Sequence, residues 1–215
     1  MSTLIAVPSM DTVPVQFCDS LFRLRKPAGT AYAIKSGALI YDARNTFVAN
    51  AIAQGIDRIL WLDSDMVFAP DTLEKLSADM DAGMDMVCGI YFKRHMPTMP
   101  VIYKTLEYGV KDGAVHASAE GYLDYPRDSI FEIAGSGFGC VLTKTEVLKA
   151  VWEKHGPPFD PMTQIGEDLA CCVRLKDMGV KMYCDSRVKL GHVGIRIYDE
   201  EAYLEQRTQE KAGNG

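Results

Sequence analysis

Between residues 42 and 90 the sequence alternates short apolar runs with longer segments of mixed polarity, and this alternation constrains the fold more than any other feature. Arg58–Leu62 and Asp85–Ile90 have the length and apolar content of buried strands. Asp42–Gln54 and a segment that opens at Pro70 are predicted helices, each ended by a glycine. Strands and helices that alternate at short spacing are typical of a parallel sheet. The sequence therefore predicts an α/β, Rossmann-like domain with a mostly parallel central sheet flanked by helices.

Further strands and helices are predicted before this stretch and, after an irregular segment, beyond it. Tyr91–Ile130 is rich in glycine, proline and aromatic residues, which indicates hairpins and loops. Thr143 to Glu146 has the spacing of a capping box and predicts a helix as far as His155. The other predicted elements are strands at Leu4–Pro8, Phe131–Ala134, Gly139–Leu142 and Val180–Cys184, and a helix at Glu167–Met178.

Composition limits the class of protein. The chain has 215 residues, 47% of them apolar, so it can bury a core, and we expect one domain over residues 1–205 with a disordered tail at 206–215. The six cysteines form no C-x-x-C pair and are predicted to be buried free thiols, which favours a reducing compartment. No signal peptide and no apolar run of roughly 20 residues is visible, so the sequence predicts a cytoplasmic protein with no membrane segment. Oligomeric state is not predicted.

Asp63-Ser64-Asp65 follows a predicted buried strand directly. Ligands of open α/β sheets bind at the carboxyl ends of the strands. If the backbone is extended there, Asp63 and Asp65 point to one side and can hold Mg²⁺ or Mn²⁺ through oxygen. Such a cation would bridge the carboxylates to a diphosphate. The alternative is a turn in which these residues cap the next helix.

Two further segments carry carboxylates or an imidazole. Glu167 and Asp168 open a helix, where they act either as caps that favour the helix dipole or as a general base. His192 lies between glycines after a predicted strand, and it is either a metal ligand or an ordinary packed or surface residue.

Glycines and an arginine complete the candidate residues. Gly135, Ser136 and Gly137 lie between two predicted strands. Either the glycines allow a ligand to approach the backbone closely, or the segment is a mobile hairpin loop. No G-K-[ST] follows, so this is not a P-loop. Arg44, at the head of a helix, either meets a diphosphate or base or is a solvated surface residue.

Together these motifs resemble GT-A glycosyltransferases, and are similar to the inverting family-2 group, over about residues 4–194. The order is a strand ending in Pro8-Ser9, Ala43-Arg44-Asn45, Leu60 to Met66 with the two aspartates, Gly135-Ser136-Gly137, Gly166-Glu167-Asp168 and His192. The resemblance implies a single GT-A domain and transfer of a sugar from a nucleotide-diphosphate sugar, with a UDP-sugar favoured.

The resemblance also assigns roles to residues. It implies that Asp65 and His192 bind Mn²⁺ or Mg²⁺, with Asp63 on the ribose or in the metal shell. Asp168 would be the catalytic base, and Glu167 would orient either Asp168 or the acceptor. The nucleotide would contact Pro8, Ser9 and Arg44, and the sugar and acceptor would contact Gly135, Ser136 and Gly137.

Alternative functions remain at this point. A nucleotidyltransferase of similar fold would carry a glycine- and lysine-rich loop after the first strand, but Met10-Asp11-Thr12-Val13-Pro14 follows here. A non-catalytic nucleotide-sugar-binding domain is the other alternative. The acceptor is open among a glycan, a lipid-linked sugar, a protein and a modified DNA base, since similar small enzymes occur in phage genomes. The net charge of −6 counts against a nucleic acid, whereas the basic clusters Lys93-Arg94-His95 and Arg23–Lys26 leave it open.

Overall fold

A seven-stranded sheet forms the centre of the computed structural model, which describes residues 1–10, 12–37, 39–194 and 197–213. The strand order is β2-β1-β3-β10-β5-β11-β8, in which β10 and β8 run against the other five. The strands are β1 (Thr3–Ser9), β2 (Thr30–Ser36), β3 (Arg58–Leu62), β5 (Met86–Ile90), β8 (Ile130–Ile133), β10 (Cys140–Lys144) and β11 (Met182–Lys189). The predicted α/β architecture with a mostly parallel sheet is confirmed.

Two three-stranded sheets are attached to this centre. One contains β4 (Met66–Val67), β12 (Gly191–Val193) and β13 (Ile197–Tyr198), and the other contains β6 (Ile102–Lys111), β7 (Ala114–Gly121) and β9 (Gly135–Ser136). The β6–β7 pair is a long antiparallel hairpin in the region where the sequence predicts hairpins and loops. Pairing of β4 with β12 brings the turn after β3 against the C-terminal part of the chain.

In the described part of the chain six helices cover the sheet: α1 (Val15–Arg23), α2 (Ile40–Ala53), α3 (Thr72–Asp81), α4 (Thr145–His155), α5 (Glu167–Asp177) and α6 (Glu200–Gly213). Side chains alternate along the strands, so β1 and β3 supply Leu4, Ala6 and Trp61 to one face and Ile5, Val7 and Leu60 to the other. Helices α2, α4 and α5 pack on the first face, and α1 and α3 pack on the second. The hydrophobic core therefore has two layers, one on each face of the central sheet.

The predicted helices and the central strands agree with the observed ones to within a few residues, but one local prediction is wrong. The capping box at Thr143 to Glu146 does not form, because α4 begins one residue later with Lys144 at its N-cap and no side-chain cap hydrogen bond. The Thr143 hydroxyl instead accepts a hydrogen bond of 3.0 Å from Trp61 Nε1 inside the core. A buried indole donor must find an acceptor, and Thr143 faces it across the β3–β10 pairing.

The predicted domain division is not tested by the structure at the C-terminal end of the chain. Helix α6 runs across the predicted boundary between residues 205 and 206, and residues 214 and 215 lie outside the described ranges. The domain division and the cytoplasmic location stay predictions. All six cysteines are unpaired, as predicted, and five of them are buried, whereas Cys18 is partly exposed. Within the described residues, none of the helices combines the length and apolarity needed to cross a bilayer.

Candidate functional site

The residues that follow β1 and β3 line a pocket of about 270 Å³ at the carboxyl edge of the sheet. Asp63 N–H donates to Gly139 O at 3.1 Å, and Met66 N–H donates back to Asp63 O at 3.2 Å, so Asp63 to Met66 form a tight turn. The backbone here is therefore a turn and not extended, and it does not cap α3, whose N-cap is Asp71. The pocket is lined by Pro8, Ser9, Met10, Ile40, Ala43, Asp63, Ser64, Asp65, Arg94 and His192.

Asp65 and His192 meet at one end of this pocket. Asp65 O accepts the Val193 N–H at 2.8 Å as β4 pairs with β12, and this pairing places Asp65 Oδ1 3.4 Å from His192 Nε2. His192 Nδ1 lies 2.8 Å from the carbonyl oxygen of Phe92. A carbonyl only accepts, so Nδ1 carries a proton and, in the neutral ring, Nε2 directs its lone pair toward Asp65. In that ring form a carboxylate oxygen and an imidazole lone pair face each other, and either a proton on Nε2 or a cation between them satisfies both groups.

This donor pair fits a divalent metal. Asp65 supplies a carboxylate oxygen, His192 supplies a nitrogen, and the Phe92 carbonyl holds the imidazole in the tautomer that ligation requires. Burial raises the pKa of Asp65, but the hydrogen bond and charge of His192 in its protonated form and the charge of Arg94 outweigh it, so the net pKa is lowered. In the described part of the chain, no three His, Cys, Asp or Glu side chains converge on one metal position.

Asp63 is directed away from this pair and toward Arg44. Arg44 Nη2 donates to Asp63 Oδ1 at 2.8 Å, and Arg44 Nη1 donates to Glu167 Oε1 at 3.3 Å and to Asp168 Oδ1. Arg44 is fully buried and its guanidinium lies about 5.5 Å from the rings of Phe138 and Phe159. One guanidinium thus joins the turn after β3 to the start of α5.

Three carboxylates on one cation shift the proton affinities of the cluster. Burial raises the pKa of Asp63, as do the charges of Asp168 and Asp65, although Arg44 opposes them. Burial and the adjacent Asp168 raise the pKa of Glu167 to about 7, again against the effect of Arg44. Burial lowers the pKa of Arg44, but the three carboxylates outweigh it and raise the pKa. Of these carboxyls, Glu167 therefore has a pKa close to neutral pH.

The glycine segment lies beneath the site and is buried. Gly135 and Ser136 form β9, and Gly139 N–H donates to the Tyr91 hydroxyl at 3.1 Å. A Cβ on Gly137 would overlap that hydroxyl and lie 3.3 Å from Asp168 Oδ2. The absence of side chains at these glycines therefore lets Tyr91 reach under Asp63 and Asp168. This is a packing reason for glycine, and the segment is not a mobile hairpin loop open to solvent.

Placement of the candidate residues divides them into three groups. Pro8, Ser9, Asp63, Asp65 and His192 line the pocket together. Glu167 and Asp168 are linked to the pocket residue Asp63 through Arg44, which does not itself line the pocket. The buried glycine segment, Gly135 to Gly137, does not line the pocket either.

Two residues of the site were not among the predicted site residues. Tyr91 lies under Asp63 and Asp168, and burial, with the charges of these two residues, raises its pKa well above the ordinary value. Arg94 lines the pocket and contacts Asp65. The signal available for Arg94 was the basic cluster Lys93-Arg94-His95. Tyr91 carried no signal beyond its aromatic side chain.

Comparisons with solved structures show the same fold in other proteins. The solved structure of A197 from STIV superposes with a TM-score of 0.66 at 22% identity, covering 90% of this chain and 86% of A197. GalNAc-T7, solved with UDP, GalNAc and Mn²⁺, superposes with a TM-score of 0.62 at 9% identity. That match covers 96% of this chain and 47% of GalNAc-T7, so the chain spans about half the length of that protein.

The family match is found in the sequence itself. No curated protein matches the chain. Residues 37–148 match Glycosyl transferase family 2, and this stretch contains Arg44, both aspartates of the turn and the glycine segment. The match covers just over half of the chain, and the sheet has the GT-A fold. The chain therefore belongs to glycosyl transferase family 2 and is a glycosyltransferase of GT-A fold.

Proposed function

We propose that the protein is an inverting, metal-dependent glycosyltransferase that moves a sugar from a UDP-sugar to an acceptor hydroxyl. The facing pair Asp65–His192 carries this proposal, because a carboxylate and an imidazole lone pair 3.4 Å apart form a cation position at the mouth of a pocket. The UDP and Mn²⁺ present in the GalNAc-T7 structure support the same choice of ligands.

In this proposal the nucleotide occupies the pocket beside Pro8 and Ser9, with its ribose near Asp63. Asp65 and His192 would hold Mn²⁺ or Mg²⁺, and the bound cation would supply positive charge that stabilises the leaving diphosphate. Asp63 is kept in place by Arg44 and serves the ribose more readily than the metal. The glycine segment acts by supporting Tyr91 and Asp168 from below.

Asp168 is the proposed base. Its carboxylate takes the proton of the acceptor hydroxyl as that oxygen bonds to the anomeric carbon, while the bond from this carbon to the diphosphate oxygen breaks. A single displacement of this kind inverts the anomeric configuration. Arg44 fixes Asp168 Oδ1, and Phe138 N–H lies 3.4 Å from Oδ2, so the carboxylate is held in one orientation. Glu167, on the same arginine, steadies the cluster.

The metal role is tested by Asp65→Ala. The protein is incubated with a panel of UDP-sugars and candidate acceptors, with Mn²⁺ or with EDTA, and released UDP is measured. We expect Mn²⁺-dependent release by the wild type and a loss of about 100-fold or more in the variant, because a metal ligand is removed. Asp124→Ala is the control, since Asp124 is an exposed carboxylate bonded to Arg207. Near wild-type turnover by Asp65→Ala would reject the metal role.

The base is tested by Asp168→Asn. We expect turnover to fall by about 10²–10⁴-fold, because the amide cannot accept the proton, while UDP binding measured by calorimetry stays close to wild type. A thermal melt of the variant checks that the fold survives. An equal loss of UDP affinity and turnover would show that Asp168 is only a structural partner of Arg44. Release of UDP by neither wild type nor variants would favour a non-catalytic binding domain.

A further inference from the structure

Arg94 already occupies one oxygen of the proposed metal ligand. Arg94 Nη1 lies 2.8 Å from Asp65 Oδ2, while Asp65 Oδ1 faces His192. The same guanidinium nitrogen lies 3.4 Å from Val193 O, on the strand that carries His192. Arg94 therefore bridges the two segments that form the cation position.

The charges of the residues that line the pocket indicate which ligand Arg94 could bind. Among the described residues that line it, Asp63 and Asp65 are acidic and Arg94 carries the one permanent positive charge. Arg44, the other arginine nearby, is buried and bonded to three carboxylates. A diphosphate entering beside two carboxylates needs cationic partners, and the planar guanidinium binds phosphate oxygens in pairs. Arg94 is thus the side chain placed to meet it.

The loop that carries Arg94 is fixed at its base and open at its tip. Lys93 N–H donates to Met99 O at 2.9 Å, and Phe92 pairs with Pro100, so the loop closes on itself beside β5 and β6. The Arg94 side chain is 50% exposed, in contrast to the fully buried Arg44. The Arg94 end of this ion pair is therefore in contact with solvent, where an ion pair contributes little stability.

We propose that Arg94 is the counter-ion of Asp65 in the metal-free protein, that it leaves Asp65 when a divalent cation binds, and that it then binds the diphosphate of the donor. This inference rests on the proposed function. Arg94 and the cation compete for Asp65, whereas both attract the diphosphate. Arg94 is therefore expected to weaken binding of the metal alone and to strengthen binding of the nucleotide diphosphate. A merely structural residue would weaken both.

The test measures the two ligands separately on the full chain. Mn²⁺ alone is titrated by paramagnetic resonance of the free ion, and UDP is titrated by calorimetry at saturating Mn²⁺. For Arg94→Gln we expect Mn²⁺ binding to tighten several-fold and UDP binding to weaken about tenfold, the loss of a charged hydrogen bond. Arg94→Lys keeps the charge without the planar fork and should give an intermediate UDP affinity. Lys93→Gln is the matched control, because it removes one positive charge from the same loop.

The outcomes separate this inference from the proposed function. Tighter Mn²⁺ and weaker UDP in Arg94→Gln, with small effects in Lys93→Gln, would support it. Weaker Mn²⁺ binding, unchanged UDP binding, or equal effects in the two variants would overturn it while the proposed function stands. A wild-type protein that binds neither Mn²⁺ nor UDP would contradict the proposed function, and this inference with it.

Discussion

At the scale of single residues, Arg44 connects the two chemical halves of the site. It bonds to Asp63 beside the nucleotide pocket and to Glu167 and Asp168 at the start of α5. The sequence suggested a nucleotide contact for Arg44, because an arginine at the head of a helix suits a diphosphate. Its partners lie up to 124 residues away, and no local pattern predicts that distance. The structure supports a positioning role for Arg44.

Arg44→Met tests this role through stability. The substitution leaves three partly buried carboxylates without their cation, so we expect the free energy of unfolding to fall by about 3–5 kcal/mol. Urea denaturation measures the change. Arg23→Met is the control, because Arg23 is an exposed arginine in a surface ion pair with Asp19 and should cost less than about 1 kcal/mol. A similar small effect in both variants would contradict the bridging role of Arg44.

At the scale of elements, the sequence predicted those with strong patterns. Strand β3 is a short continuous apolar run and helix α2 ends next to a glycine, and both were predicted to within two residues. Helix α1 and strand β2 were not predicted. Helix α1 has nine residues and buries only Phe17 and Ser20, and β2 is an exposed edge strand. Both depend on neighbours in the fold more than on their own composition.

The residues of the site also divide into those that the sequence pattern predicted and those that depend on tertiary structure. Its acidic and imidazole members were predicted because they stand directly after strands or at a helix start. Their contacts were not, because the turn at Asp63 and the pairing of β4 with β12 depend on tertiary structure. Tyr91 and Arg94 lie in the stretch between β5 and β6, where the sequence pattern indicates only loops and hairpins.

The glycine segment offers a test at this scale. In Gly137→Ala the new Cβ would overlap the Tyr91 hydroxyl and lie 2.8 Å from Val101 Cγ1, so Tyr91 or β9 must shift. We expect a loss of about 1–3 kcal/mol of stability, measured by urea denaturation. Gly109→Ala is the matched control, since nothing lies within 4 Å of its Cβ.

A double variant assigns that cost to Tyr91. Tyr91→Phe removes the hydroxyl that the new methyl group meets, so the loss caused by Gly137→Ala should be smaller in the Tyr91→Phe background. Equal losses in the two backgrounds would show that Val101, and not Tyr91, resists the methyl group.

At the scale of the whole molecule, the sheet buries a second group of charges on the face covered by α3. Asp79 from α3 and Asp185 from β11 both bond to Arg187, at 3.1 Å and 2.8 Å. Both carboxylates are buried. Burial, the charge of Asp185 and a hydrogen bond with Asp185 raise the pKa of Asp79 to about 6, against the effect of Arg187. Two carboxyls share a hydrogen bond only when one is protonated.

This pair makes the stability of the whole chain depend on pH in a predictable direction. The ordinary pKa of an aspartate is about 3.9, so between about pH 4 and pH 6 the native state keeps a proton on Asp79 that the unfolded chain has lost. The contribution of Asp79 to the free energy of unfolding therefore declines as pH rises through this window, by up to about 3 kcal/mol, and is constant above it. The native protein at pH 7 holds an unfavourable pair of charges.

Asp79→Asn removes that dependence. The amide donates to Asp185 at every pH and its oxygen still accepts from Arg187, so we expect the variant to be more stable than the wild type at pH 7 and to approach it near pH 4. Urea denaturation of both proteins from pH 4 to pH 7 gives the difference, in which the other titrating groups cancel. Asp124→Asn, at an exposed carboxylate, should show no such trend. A difference that does not grow from pH 4 to pH 6 would show that Asp79 titrates as an ordinary carboxyl, because only a raised native pKa produces that slope.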